Sequence, residues 1–539
     1  MCTTASNVPC SNAVAKFYSL PDDVVLRILL FCDIDALFAC KRVCRHLQHF
    51  IDTDIYLQYK IELALNGMVD GPSSCDMRIV EKLQLLRDYG ARYHGTEFAN
   101  SEFKYSWQRW PQIETMPTAG WEGHLGFGGS ISYIVVKPPQ RQISICAPPP
   151  VAGPREMRDW LVPYEALSRR SDLVVTSVSV DLSQNLLLVA VQGEDRRHLS
   201  ILLHSLDNPK EAHPRSLQPT LAITMSDELG SAGDNTLNPS ILGAESIQIH
   251  ENIVAWKLLV RSGPSGPCDI EVWDWTIGQR LWCSHYAFDA SFTLLDDTRI
   301  VTTGTTSEEL VVEGFAQRAQ REETGSVLAL GLPPQRGSVR IQESCIPSPP
   351  SPAEPFWTDP ALRIVVVKLA DESALLIPYK TFLEALSTVA PATEQSPGRK
   401  EITRIVWEDW RSQAILLVST AKGRSLMDQW SFKHCHSYGS RVVVHADGEP
   451  ATTFDLNPWA ARNARRFPRA VVSGTGKDSQ DIFGTKDATL RHAVLSRWYV
   501  GSGFAQSQSG LATDPMGFTE VYSGRLQLAR FLGSISHYI

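Results

Sequence analysis

Between residues 19 and 90 the apolar residues recur at three- and four-residue intervals, while from about residue 116 onward they come in short runs separated by polar turns. The first spacing is that of amphipathic helices and the second that of strands. A chain that switches period once, and so late in its length, cannot pack as one uniform layer. At 539 residues it also exceeds the size at which a single core keeps growing. The expectation is a multidomain protein, with a small all-α N-terminal domain followed by a large all-β domain. Apolar content of 43% and charged content of 20% are those of an ordinary folded chain.

The helical part begins with strong local signals. Ser19 precedes Pro21 and Asp22, which predicts a helix with Ser19 as N-cap, Pro21 in its first turn and Asp22 closing a capping box. Asp22 and Asp23 suit the positive end of the helix dipole. Val24, Val25, Ile28 and Leu29 form a broad apolar stripe, which a helix of about ten residues must bury against something. Asp33 or Asp35 can cap a second short helix bearing Ile34, Leu37 and Phe38. A third is predicted to carry Val43, Leu47, Phe50 and Ile51. Three helices in about 33 residues bury little area and gain from a partner or from neighbouring helices.

The order of these residues resembles the F-box. Leu20-Pro21 matches the family's opening pair, Val24, Val25 and Ile28 to Leu30 its first helix, Ile34, Leu37, Ala39 and Cys40 its middle, and Val43-Cys44-Arg45 its close. Leu47 stands near where many members carry Trp. The resemblance implies binding of a Skp-type adaptor and, through it, a cullin, in an SCF-type ubiquitin ligase. By the same resemblance Leu20, Pro21, Val24, Ile28, Leu29, Leu37, Val43 and Cys44 belong to adaptor docking or to the core behind it. Sequence does not separate the two roles. Cys44 reads as a small buried hydrophobe rather than a nucleophile.

Four segments are expected: a flexible N-terminus over 1–18, the F-box-like domain over 19–60, a helical connector over 61–115 and the β domain over 116–539. Ahead of the connector, Asp54 is expected to cap a helix that Asn66-Gly67 ends. Ser73 and Asp76 are predicted to open a further helix, carrying Met77, Val80, Leu83 and Leu86, that stops at Tyr89-Gly90. Trp107 and Trp110 mark the approach to the β domain.

In the β domain, apolar runs such as 131–136, 173–180, 185–191, 200–206, 247–259, 269–275, 362–368, 374–378, 426–432 and 441–445 are predicted strands. Segments 179–190 and 409–418 read as copies of a strand–turn–strand unit, and Glu271 to Gly278 resembles the closing strand and turn of a WD-type repeat. Such repetition over roughly 420 residues suggests a degenerate β-propeller of about six to eight blades, with an irregular sandwich or barrel as the alternative. Segments 207–219, 226–240 and 388–400 are expected as surface insertions. The stretch Pro347 to Pro355 is expected to be a stiff inter-blade loop. The basic run from Arg462 to Arg469 reads as a solvated face.

Nothing nominates an active site. Gly474-Thr475-Gly476-Lys477 lacks the spacing of a phosphate loop, and Gly126 to Gly129 precedes a strand rather than following one. His434 and His436 would share a strand face, but two ligands fall short of a structural zinc site. No enzymatic activity, cofactor or metal is expected. The net charge of −8 gives no overall attraction to nucleic acid or anionic lipid, and no segment offers about 20 uncharged apolar residues for a membrane span. Eleven scattered cysteines without a CxxC pair favour free thiols and a cytoplasmic or nuclear location. The leading functional expectation is a receptor that docks the adaptor through its helices and a target protein through its β domain. A WD-like scaffold, or an F-box protein acting outside the ligase, is the alternative.

Overall fold

The computed structural model describes residues 20–95, 121–125, 131–135, 142–147, 158–167, 174–193, 198–224, 240–261, 268–286, 290–304, 308–315, 327–334, 338–342, 354–370, 373–388, 402–417, 434–445, 452–459, 471–472, 494–497, 510–514, 517–522 and 525–530. The Ser19 cap, Trp107 and Trp110, Gly126 to Gly129, the run 426–432, Arg462 to Arg469, Gly474 to Lys477 and most of 226–240, 388–400 and 347–355 lie outside those residues.

Among the described residues five helices come first: α1 (Asp22–Phe31), α2 (Ile34–Val43), α3 (Arg45–Thr53), α4 (Ile55–Asn66) and α5 (Ile79–Gly95). Pro21 occupies the N-cap of α1 rather than its first turn, so its missing N–H costs nothing there. Asp33 caps α2 by accepting the Ala36 N–H at 2.7 Å. Asp54 caps α4 by accepting from Tyr56 and Leu57, and Gly67 ends it at φ +65°. Two expectations fail. Val43 closes α2 instead of opening the third helix, because the extended Cys44 breaks the chain there. The second connector helix starts at Ile79, after a turn at Ser73-Ser74 that leaves Met77 outside it, and continues through Gly90. Gly90 lies where a Cβ would sit 2.7 Å from Asn66 Oδ1, so its role is close packing of α5 on α4.

Beyond the helices, the described residues form seven successive sheets whose strands pair largely in antiparallel order. They cover residues 121–163, 174–224, 240–286, 292–331, 340–417, 434–497 and 510–530, with the strand Ile402–Ile405 added in parallel to the fourth. Alternate residues of one strand serve two different cores. In the second sheet Leu186, Leu188 and Ala190 pack towards the third sheet, while Leu187, Val189 and Val191 pack towards the first. Ile364 and Val366 likewise face one way, and Val365 and Val367 the other. Sheets stacked face to face are buried on both sides, so these strands read as continuous apolar runs instead of alternating ones.

The run 247–259 is two strands, Ser240–His250 and Ile253–Arg261, with Glu251 at φ +51° in the turn between them. Segment 409–418 is not a strand–turn–strand copy: a short helix (Trp407–Trp410) and a 3-10 turn (Arg411–Gln413) precede the strand Ile415–Leu417. A further helix, Tyr379–Thr388, buries Phe382 in the core between the fourth and fifth sheets. Segment 207–219 is largely exposed, as expected of a surface insertion, but it is anchored through one buried residue. His213 is 3% exposed and donates through Nε2 to the Gln184 carbonyl at 2.9 Å, with its ring edge-on to Trp275.

Candidate docking surface

The first four helices share one core. Val25 and Leu29 of α1 meet Leu37 of α2, Leu47 and Ile51 of α3, and Leu57, Ile61 and Leu65 of α4. Ile61 and Leu65 lie past the boundary drawn at residue 60, so that boundary cuts through a helix the core requires. Lys60 of α4 donates to the Cys32 carbonyl at 2.6 Å and also to the Leu30 carbonyl. A cation thus satisfies the C-terminal end of α1.

α1 is apolar over more than the face this core can cover. Val25 and Leu29 point inward. Pro21, Val24, Ile28 and Phe31, spaced by three, four and three residues, form a second stripe beside them. Ile28 is 41% exposed and Phe31 92%, Pro21 is exposed, Val24 is half-buried, and Leu20 just ahead is 36% exposed. Ile28 and Phe31 of this outer stripe are thus left uncovered by residues 54–90.

Burial divides the residues assigned from sequence into two groups. Leu29 and Leu37, at 1% and 0% exposure, belong to the core and touch nothing outside. Leu20, Pro21, Val24, Ile28 and Val43 present surface, Val43 at 67%. Cys44 is half-buried and does more than fill space, since its Sγ accepts the Leu47 N–H at 3.4 Å and so caps α3. Phe31 was not assigned, although its spacing from Ile28 signals it. Between α2 and α3 lies a groove of about 570 Å³ lined by Phe38, Lys41, Arg42, Cys44, Arg45 and Gln48. Lys41 is paired with Asp52 at 2.5 Å, and the exposed Arg42 and Arg45 leave the groove basic.

With this geometry in place, the F-box family matches residues 17–59. That stretch is an F-box domain. An F-box is a non-catalytic module with the general capacity to bind a Skp-type adaptor, and its apolar outer stripe is chemically suited to burial at an interface. No curated protein matches the chain. Among solved structures it is similar to the Myceliophteria thermophila Cps50 (Swd1) beta-propeller domain, at 10% identity over 75% of this chain and 94% of that one, with a TM-score of 0.33. It is also similar to yeast RCC1 (Prp20) bound to Kap60, at 9% identity over 76% and 80% with a TM-score of 0.33, and to Citrobacter koseri AztD, at 7% over 76% and 86% with 0.32.

Among the described residues no group of three or more His, Cys, Asp or Glu could hold a metal, and no helix is long and apolar enough to cross a membrane. Cys435, between the two histidines noted in the sequence, is fully buried, and burial pushes its thiol up to about 12.

The F-box is joined to the sheets by more than chain connectivity. Directly after α4 the strand Met68–Asp70 pairs with Phe356–Thr358, in the link between the first two strands of the fifth sheet. The Tyr59 hydroxyl lies 2.8 Å from Asp70 Oδ1 and 3.2 Å from the Pro355 carbonyl, and the Gly71 N–H donates to that same carbonyl at 3.0 Å. The end of the proline-rich stretch is therefore held against the connector. Trp459 packs its ring at a tilt against that of Phe38, with centroids 5.4 Å apart.

Proposed function

We propose that this protein is the target-recognition subunit of an SCF-type ubiquitin ligase. The uncovered apolar stripe on α1 carries this reading. Leu20, Pro21, Val24, Ile28 and Phe31 dock the Skp-type adaptor, with Val43 and the basic groove beside Cys44 at the same module. Leu29 and Leu37 support that surface from behind. Through the adaptor the chain joins a cullin. It makes and breaks no covalent bond, and its contribution is to hold target lysines near the charged conjugating enzyme.

The β domain is read as a seven-bladed propeller that binds the target protein. Its support is the order of contacts: the first strand of the second sheet meets that of the third, the third meets the fourth, and Gly510–Asp514 of the seventh sheet meets Trp121–Leu125 of the first. A cytoplasmic or nuclear setting suits the free thiols of Cys32, Cys40 and Cys283. The test is co-isolation of a cullin with the full chain. It should be retained by wild type and lost with Pro21→Ala and Ile28→Ala, and proteins bound by the β domain should turn over in a cullin- and neddylation-dependent way. Adaptor capture without cullin capture or such turnover would place the protein outside the ligase.

A further inference from the structure

The last four carbonyls of a helix have no donor within it and must find one elsewhere. In α4 two distant side chains supply most of them. The Gly67 N–H reaches Leu63 and Ala64. Asn457 Nδ2 donates to Ala64 at 2.8 Å and to Leu65 at 3.2 Å. Arg441 Nη2 donates to Asn66 at 3.1 Å. Arg441 opens the second strand of the sixth sheet and Asn457 follows the end of its third, each more than 370 residues away in sequence.

Each donor is itself held. Asn457 is 0% exposed, and its Oδ1 accepts the Trp459 N–H at 3.0 Å, the same Trp459 that packs at a tilt against Phe38 of the F-box. Arg441 is 7% exposed, lies over the Tyr89 ring of α5 at 5.0 Å, donates to the Tyr89 hydroxyl through Nη1 and is ion-paired with the 1% exposed Asp455 at 3.5 Å. Asp455 is fixed in turn by Ser440 Oγ at 2.8 Å and the Asn457 N–H at 3.0 Å. A cation at a helix C-terminus also opposes the negative end of its dipole.

We propose that Arg441 and Asn457 are positioning residues, which cap α4 from the β domain and so hold the F-box at one fixed orientation to it. This deepens the ligase reading and rests on it for its biological meaning. The clamp also chooses an end of the β domain. Gly439 and Ser440 form the turn between the first two strands of the sixth sheet, and Asp455 ends its third strand. In an antiparallel meander the first–second and third–fourth connections leave at one end and the second–third connections at the other. The F-box occupies the former end, so the target is presented by the remaining surface at a set distance from the adaptor.

The test is a distance measurement on the full chain, alone and with the Skp-type adaptor. Spectroscopic labels carried by non-canonical amino acids at His49 of α3 and Lys380 of the fifth-sheet helix report the orientation. Wild type should give one narrow distance distribution in both states. Asn457→Leu and Arg441→Met should each broaden it at least twofold, with adaptor affinity changed by less than about threefold. Arg441→Lys, which keeps a cation at the helix end, should recover part of the narrowing. Should Arg441→Met fail to fold, the milder Asn457→Leu decides alone. A wild-type distribution as broad as the variants', or variants as narrow as wild type, overturns the clamp. A narrow wild-type distribution with no adaptor binding leaves the clamp standing and removes the ligase reading.

Discussion

Ile28 and Leu29 are adjacent in α1, yet truncating them should destabilise the F-box to very different degrees. Leu29 is 1% exposed and packs among Leu37, Leu47, Ile51 and Leu57. Leu29→Ala leaves a cavity in a core of eight buried side chains and should cost about 3 kcal/mol. Ile28 is already 41% exposed, so Ile28→Ala should cost under about 1 kcal/mol, and Phe31→Ala, at 92% exposure, about 0.5 kcal/mol or less. A chain of this size does not unfold in two states, so a global midpoint would mix domains. Amide exchange of peptides within residues 20–65 of the full chain reads the local free energy instead. Three kcal/mol corresponds to roughly a hundredfold faster exchange for Leu29→Ala, against less than about fivefold for Ile28→Ala. Equal acceleration in the two variants would refute the division into an inner core stripe and an outer free stripe.

Two further outcomes are expected. His213 is held as the neutral tautomer, since Nε2 donates to Gln184 and Nδ1 accepts the Arg215 N–H at 3.3 Å. Burial lowers its pKa below the ordinary 6.5, so its contribution to stability is complete above pH 6.5 and is lost as pH falls through the folded value. The local free energy of amide exchange for peptides around Gln184 and His213 in the full chain should fall more steeply on acidification for wild type than for His213→Gln; parallel profiles would count against this. At Gly71 an added Cβ would sit 2.1 Å from the Glu354 carbonyl, so Gly71→Ala should push the connector from the fifth sheet at a cost of about 1–3 kcal/mol. Amides of Met68–Asp70 and Phe356–Thr358 should lose protection together, and unchanged protection would contradict the close approach.

Features set by neighbouring residues were legible in the sequence. Asp33, Asp54 and Gly67 act within one turn of their own position, and the structure places each at the expected helix end. The F-box was legible for the same reason, its pattern being a short and local one. Where a local signal pointed the wrong way, the cause is physical. The run 247–259 contains no glycine, so the left-handed Glu251 that folds it into a hairpin leaves no mark. Trp410 falls in a segment expected to be a strand–turn–strand copy, but its Nε1 donates to the Gly331 carbonyl at 3.0 Å from a helical turn packed on the neighbouring sheet. The split of the docking residues into Leu29 and Leu37 inside, and Ile28 and Val43 outside, depends on how four helices cross, which helical periodicity within each does not fix. Least legible was the clamp, because an arginine and an asparagine far along the chain carry no mark of the helix they cap.

The central claim is that the outer stripe of α1 is a free docking face for the adaptor. Calorimetric titration of the full-length chain with a purified Skp-type adaptor tests it most directly, with Ile28→Ser and the exposed control Lys380→Ser measured in parallel. Wild type and the control should bind saturably at one adaptor per chain, and Ile28→Ser should bind at least tenfold more weakly, about 1.4 kcal/mol or more. No binding by the folded wild-type chain, or equal affinity for wild type and Ile28→Ser, would contradict the account.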